Sequence, residues 1–114
     1  MKIEFRDKGN YIVANLEGEL DIESSSDFKK KAGMEISNGH SNMIIDLSQV
    51  VYVDSSGLGA LIALQREARL NGGALVIIGA TEQIRRTMKI THLDKLFEFY
   101  DTLEEAIDEN SNWK

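Results

Sequence analysis

The spacing of hydrophobic and polar residues changes several times along this chain, and each change marks a new element. Ile3 and Phe5 alternate with Glu4 and Arg6, Asp7-Lys8-Gly9-Asn10 supplies turn residues, and Tyr11-Ile12-Val13-Ala14-Asn15-Leu16 resumes with strand formers. Successive side chains of a strand face opposite sides, so this pattern predicts a β-hairpin. Phe28, Ala32 and Ile36 then recur every fourth residue. They mark one face of a helix that the polar cluster Ser24-Ser25-Ser26-Asp27 precedes and Asn38-Gly39 closes with a left-handed cap. Met43-Ile44-Ile45-Asp46-Leu47 has no helical period and reads as a strand buried on both faces.

Further on, Leu58, Leu61, Ile62, Leu64 and Ala68 form an apolar stripe, with Gln65, Arg66, Glu67 and Arg69 on the polar side and Asn71-Gly72-Gly73 as the stop. Ala74-Leu75-Val76-Ile77-Ile78 reads as a second buried strand. Thr81 is placed to cap a third helix, in which Ile84 and Met88 share a face. Leu96-Phe97-Glu98-Phe99 reads as a last short strand, and Asp101-Thr102-Leu103-Glu104 has the form of a capping box opening a helix through Leu103, Ala106 and Ile107. The order is β-β-α-β-α-β-α-β-α. Strands alternating with helices require parallel crossovers and the opening hairpin adds an antiparallel pair, so an α/β sandwich on a mixed sheet is expected. Residues 1–109 are expected to form a single domain and residues 110–114 a loose C-terminal tail.

Composition narrows the functions open to such a domain. At 114 residues with 42% hydrophobic content there is material for one core. The chain has no cysteine and two histidines, so disulfides and thiolate metal sites are excluded and neither a metal nor another cofactor is expected. The net charge of −6 opposes approach to nucleic acid backbones and acidic membrane surfaces. No apolar run reaches the length of a membrane span, and Met1-Lys2-Ile3-Glu4-Phe5-Arg6 alternates instead of forming a signal-peptide core; a cytoplasmic protein, monomeric when free, is the expectation.

The stretch richest in chemistry is Val50-Val51-Tyr52-Val53-Asp54-Ser55-Ser56-Gly57-Leu58-Gly59-Ala60-Leu61. An apolar run stops at an acid, two serines and two glycines just before a helix. A serine there can accept a bond from an orphan backbone N–H, and the positive end of the helix dipole favours negative charge. Gly57 and Gly59 each cost about 1 kcal/mol of helix propensity relative to alanine, which suggests an exposed knuckle that another backbone can approach closely. Capping and tight packing on the sheet would account for the same residues.

The wider chain separates these alternatives. Asp54-Ser55-Ser56-Gly57-Leu58-Gly59, with Gly18-Glu19-Leu20-Asp21 before it and Gly72-Gly73-Ala74-Leu75 and Thr91-His92-Leu93-Asp94-Lys95-Leu96-Phe97 after it, closely resembles the bacterial anti-sigma factor antagonists of the STAS domain family. The resemblance covers essentially the whole chain. It implies a STAS-like sandwich and a regulator that works by partner switching. The unphosphorylated antagonist would bind an anti-sigma factor that is also a serine kinase and so release the sigma factor. Phosphorylation of the serine after the aspartate, Ser55, would end the complex, and a PP2C-type phosphatase would reset it. Asp21, Asp54, Ser56, Gly57, Leu58 and Gly59 are the implied partner-binding residues. Transcription would be regulated without contact to nucleic acid.

Other features are weaker. Ser24, Ser25 and Ser26 read as capping residues, and His40 and His92 as loop residues with no nucleophile beside them. Arg66, Arg69, Arg85, Arg86 and Lys89 read as a solvated face. An enzyme built on Ser55 lacks the Gly-x-Ser-x-Gly elbow, and no catalytic residue is assigned. The alternative is a small-ligand or nucleotide-binding regulatory module at the helix N-terminus, although no phosphate-binding glycine motif is present.

Overall fold

The computed structural model describes residues 1–114. Five strands, β1 (Lys2–Asp7), β2 (Ile12–Leu20), β3 (Asn42–Val53), β4 (Ala74–Ile78) and β5 (Phe99–Tyr100), lie side by side in chain order. β1 and β2 are antiparallel, and every later neighbour pair is parallel. The connections are the helices α1 (Ser25–Ser37), α2 (Ser55–Leu70) and α3 (Glu82–Ile90), and α4 (Leu103–Glu109) follows the last strand. The expected mixed sheet and element order are observed.

Packing divides the molecule into two layers around the sheet. Ile12, Ala14, Leu16, Met43, Ile45, Leu75 and Ile77 on one face bury Phe28, Ala32 and Ile36 of α1, Leu58, Leu61, Leu64 and Ala68 of α2, and Ile84 and Met88 of α3. The opposite face carries a smaller cluster of Val13, Ile44, Val76 and Ile78 against Ala106 and Trp113. The run Met43–Ile45 is buried on both faces for this reason, since helices cover both sides of the central strands.

Helix ends follow local chemistry. Gly39 (φ 105°) and Gly72 (φ 82°) take the left-handed position after α1 and α2, and the next N–H reaches back to Glu35 O and Ala68 O in each case. His92 (φ 60°) does the same for α3, with Leu93 N–H donating to Met88 O. The cap of α4 lies one residue later than the sequence pattern suggests: Thr102, not Asp101, accepts from Glu105 N–H. A threonine hydroxyl with a glutamate three residues on is the same device in a shifted frame.

Four other expectations need correction. Leu96 lies in a 3-10 turn (Asp94–Leu96), and the last strand begins only at Phe99. Gln65 is buried, not on a polar side, because its amide donates to the Leu96 carbonyl. Residues 110–114 are not loose. Ser111–Trp113 forms a 3-10 turn, Trp113 is 5% exposed and stacked on Tyr11 with ring centroids 6.2 Å apart, and Asn10 Nδ2 donates to Lys114 O. Burial of one large aromatic ring, with the bonds at Asn10 and Asn110, offsets the freedom this short segment loses. His40, finally, is a tie and not a free loop residue. Nδ1 lies 2.8 Å from Glu35 Oε2 and Nε2 lies 3.0 Å from Asp7 Oδ2, joining the end of α1 to the hairpin.

Candidate functional site

The site lies at the end of the sheet where the parallel strands finish and α1, α2 and α3 begin. Its shape is decided by β3. That strand pairs with β4 only over Asn42–Asp46, so its second half, residues 47–53, has a free edge toward α3. Against β2 it is irregular twice: the register slips between Asn15 and Glu17 and again between Gly18 and Glu19, and each slip leaves an extra residue in β3. Bulges of this kind bend a strand and re-aim its side chains. After Leu47, burial recurs every third residue, at Leu47, Val50 and Val53, and the residues between are turned out. Val51 and Tyr52 are therefore 66% and 49% exposed although both are strand-forming apolar residues.

Asp54 stops the strand and organises the loop beyond it. Its backbone N–H donates to Leu20 O at 3.1 Å. One carboxylate oxygen caps α2 by accepting from Gly57 N–H at 2.9 Å, and the other accepts from Ile22 N–H at 3.0 Å. A single side chain thus joins the β2–α1 loop to the start of α2. Ser55, the first residue of the helix, is exposed, and its hydroxyl takes part in none of the hydrogen bonds around the loop. The backbone N–H groups of Ser55 and Ser56 have no acceptor within the chain, as expected for the first turn of a helix.

The two glycines of the loop do different things. Gly57 is buried, and a Cβ there would collide with the Leu20 carbonyl oxygen while standing 2.9 Å from both Leu20 Cγ and Val53 Cγ1. Its lack of a side chain lets α2 begin directly on the end of β2. Gly57 therefore does not contribute to an exposed knuckle, and Leu58 beside it sinks into the core. Gly57 is corrected from a surface contact to a packing residue, while Leu58 packs in the core and reaches the base of the cleft beside Ser55. Gly59 is exposed, and a Cβ there would meet nothing within 4 Å. The fold itself gives no reason for glycine at that position.

Two clefts flank the exposed part of β3. One, of about 360 Å³, lies between the free edge and α3, lined by Val51, Tyr52, Asp54 and Ser55 on one side and Gln83 and Thr87 on the other. The second, of about 630 Å³, lies on the α1 side of Val51 and includes Glu19, Asp21, Glu23, Ser24 and Asp27. Asp21 thus faces a different cleft from Ser55, and no hydrogen bond joins the two. Its carboxylate closes a local turn, accepting from Glu23 N–H at 3.0 Å and Ser24 N–H at 3.1 Å. Desolvation raises its pKa, but the bonds from Ser24 and Glu23 outweigh that and hold it below the usual carboxylate range. Ser24 does not cap α1 with its hydroxyl; that group donates to Glu19 O at 2.7 Å and accepts from Asp21 N–H.

The structure therefore places Asp54 and Ser55 at the cleft beside α3 with buried Leu58 at its base, sets Gly59 on a separate groove with Lys29, Ile62 and Arg66, leaves Asp21 on the flank and withdraws Gly57. Ile22 does not stand out in the sequence, yet it is 74% exposed on the loop held by Asp54. An apolar residue between two acids, Asp21-Ile22-Glu23, is its only sequence signal.

Comparison with known proteins places this arrangement among others. The STAS domain family model matches residues 2–106. A Thermotoga neapolitana protein bearing an anti-sigma factor antagonist name is 34% identical over 92 residues, covering 80% of this chain and 81% of the relative. The anti-sigma-B factor antagonist of Bacillus subtilis is 26% identical over 98 residues, covering 86% and 89%. Among solved structures, the crystal structure of a Thermotoga maritima protein bearing an anti-sigma factor antagonist name superposes with a TM-score of 0.88 at 27% identity, covering 94% of this chain and 92% of the other.

Proposed function

This chain belongs to the STAS domain family, and on that premise we propose that it is an anti-sigma factor antagonist, switched by phosphorylation of Ser55. In this reading the unphosphorylated protein captures an anti-sigma factor with serine kinase activity and frees the sigma factor. The chain works as a binding partner and substrate, not as a catalyst. The partner contacts Asp54, Ser55, Ser56 and Gly59, flanked by Asp21 and by the apolar side chains Ile22, Val51 and Tyr52.

The observation that carries the reading is the state of Ser55: an exposed hydroxyl, free of internal hydrogen bonds, at the first position of a rigidly capped helix. A kinase can reach such a hydroxyl without unfolding anything. The γ-phosphoryl group of ATP passes to Ser55 Oγ, ADP leaves, and the hydroxyl proton goes to a base supplied by the kinase. The product carries about −1.5 to −2 charge at neutral pH, which the free N–H groups of Ser55 and Ser56 accommodate locally. A partner surface fitted to a neutral hydroxyl and to exposed apolar side chains must instead desolvate that charge. Losing a few kcal/mol there lowers affinity by orders of magnitude. A PP2C-type phosphatase restores the hydroxyl.

The cleft beside Ser55 has no Lys or Arg in its lining, so the nucleotide-binding alternative lacks a charge partner for phosphates. The decisive experiment mixes this protein with each anti-sigma kinase of its own organism and ATP, then maps phosphate by mass spectrometry and measures capture. Label on Ser55, capture retained in Ser55→Ala and reduced at least about a hundredfold in Ser55→Asp are expected. Phosphate on another residue, or equal capture by both variants, would overturn the proposal.

A further inference from the structure

Asp54 is the only side chain that ties the loop after β2 to the loop carrying Ser55, and it does so as an acid immediately next to the residue that receives a charge. We propose that Asp54 is a positioning residue that transmits the charge state of Ser55 to Ile22, holding Ile22 as an apolar contact for the partner while Ser55 is neutral and releasing it when Ser55 is charged. The inference rests on Ser55 being the switch and adds a second consequence to it.

The geometry supports each step. The two oxygens of Asp54 are committed to different N–H groups, Oδ1 to Gly57 and Oδ2 to Ile22. The Gly57 bond lies within the first turn of α2, whose position is set by close packing of Gly57 on Leu20 and Val53. The Ile22 bond spans two loops and is exposed, so it is the one that gives way more easily. A phosphate on Ser55 repels the adjacent carboxylate and is drawn to the same helix N-terminus that the carboxylate now serves. Either effect displaces Asp54 from one of its donors. The rest of the β2–α1 loop is tied separately by Asp21 and Ser24, whose bonds go to Glu23 N–H, Ser24 N–H and Glu19 O. The effect is thereby confined to Ile22 and leaves α1 in place.

Ile22 is worth moving. At 74% exposure it is the most exposed large apolar side chain at this end of the molecule, and burying such a residue at the centre of an interface is a common source of affinity. Partner release would then have two causes, a charge on the docking surface and the loss of an ordered apolar contact beside it.

The test uses isotope-labelled protein without any partner and follows amide hydrogen exchange at Ile22 and Gly57 by NMR. Ser55→Glu is expected to speed exchange at Ile22 about tenfold, the scale of losing one hydrogen bond, and to leave the amides of α1 unchanged. Ser55→Gln, with the same bulk and no charge, should leave Ile22 as in the parent. In an Asp54→Asn background, where no carboxylate remains to be repelled, adding Ser55→Glu should change Ile22 less than about twofold. Equal effects of Ser55→Glu and Ser55→Gln, or the same effect of Ser55→Glu in the parent and in the Asp54→Asn background, would refute the coupling whatever the mass spectrometry shows at Ser55. If Asp54→Asn fails to fold, the comparison of glutamate with glutamine at position 55 decides alone. Capture of the kinase should fall about tenfold in Ile22→Ser with the melting temperature unchanged; undiminished capture would sink the contact role of Ile22.

Discussion

The two ends of the sheet are built on opposite terms. At the end holding Asp7, His40 and Asn10, side chains tie neighbouring segments together: His40 bridges Glu35 and Asp7, Asn42 Nδ2 donates to Asn10 O, Asn10 reaches Lys114 O, and Trp113 buries its ring against Tyr11. At the end holding Ser55, one acid fastens two loops, and Ile22, Val51 and Tyr52 remain in solvent around a free hydroxyl. Single exposed apolar residues such as Leu70 and Ile90, at the far ends of α2 and α3, are ordinary, whereas Ile22, Val51 and Tyr52 gathered around one hydroxyl form a patch that a partner can cover. The first end closes the fold, and the second presents a surface.

The largest blow to the closed end should come from Trp113→Ala. Removing a buried ring of this kind costs about 3–5 kcal/mol, and the urea midpoint should fall accordingly while Ser55 stays accessible to a kinase. A dispensable tail, by contrast, would leave the midpoint unchanged. Next in size is Gly57→Ala at the presenting end. Its Cβ meets backbone that cannot move aside, so about 1–3 kcal/mol of stability should be lost, again read from the urea midpoint.

Gly59→Ala turns the same substitution around two residues away. With open space for the methyl group, up to about 1 kcal/mol should be gained from helix propensity, while capture of the anti-sigma factor weakens if a partner backbone packs there. A loss of stability at Gly59 would refute the distinction between the two glycines. The smallest effect is a pH dependence at the closed end. Desolvation lowers the His40 pKa, but the bonds to Glu35 and Asp7 outweigh it and raise it above its usual 6.5. A raised cation pKa adds stability that is fully present below pH 6.5 and is lost as pH rises through the folded value. Thermal unfolding at about pH 6 and about pH 8 should show this decline in the parent and not in His40→Gln.

Much of the fold was legible in the sequence because local signals agreed. The four-residue spacing of Phe28, Ala32 and Ile36, the glycines after α1 and α2 and the unbroken apolar run at Met43–Ile45 each admit one reading. Where they misled, the deciding partner was distant in the chain. Gln65 looks solvent-facing until Leu96 offers a carbonyl, and the final residues look loose until Tyr11 offers a ring. At the candidate site, Ser55 at a helix start was readable, whereas Ile22 carried almost no signal because its exposure depends on the loop that Asp54 holds.

By itself the sequence determined the order of strands and helices and a serine at the start of α2, since these depend on residues within a few positions of one another, and the mixed sheet followed from that order through the rules of strand connection. Tertiary structure alone decided which glycine packs and which stands open, that Asp21 faces a different cleft from Ser55, and that Val51 and Tyr52 face solvent. The last follows from two bulges against β2, which convert a two-residue period into a three-residue one. Such a shift belongs to the pairing of two strands and is encoded in neither strand taken alone.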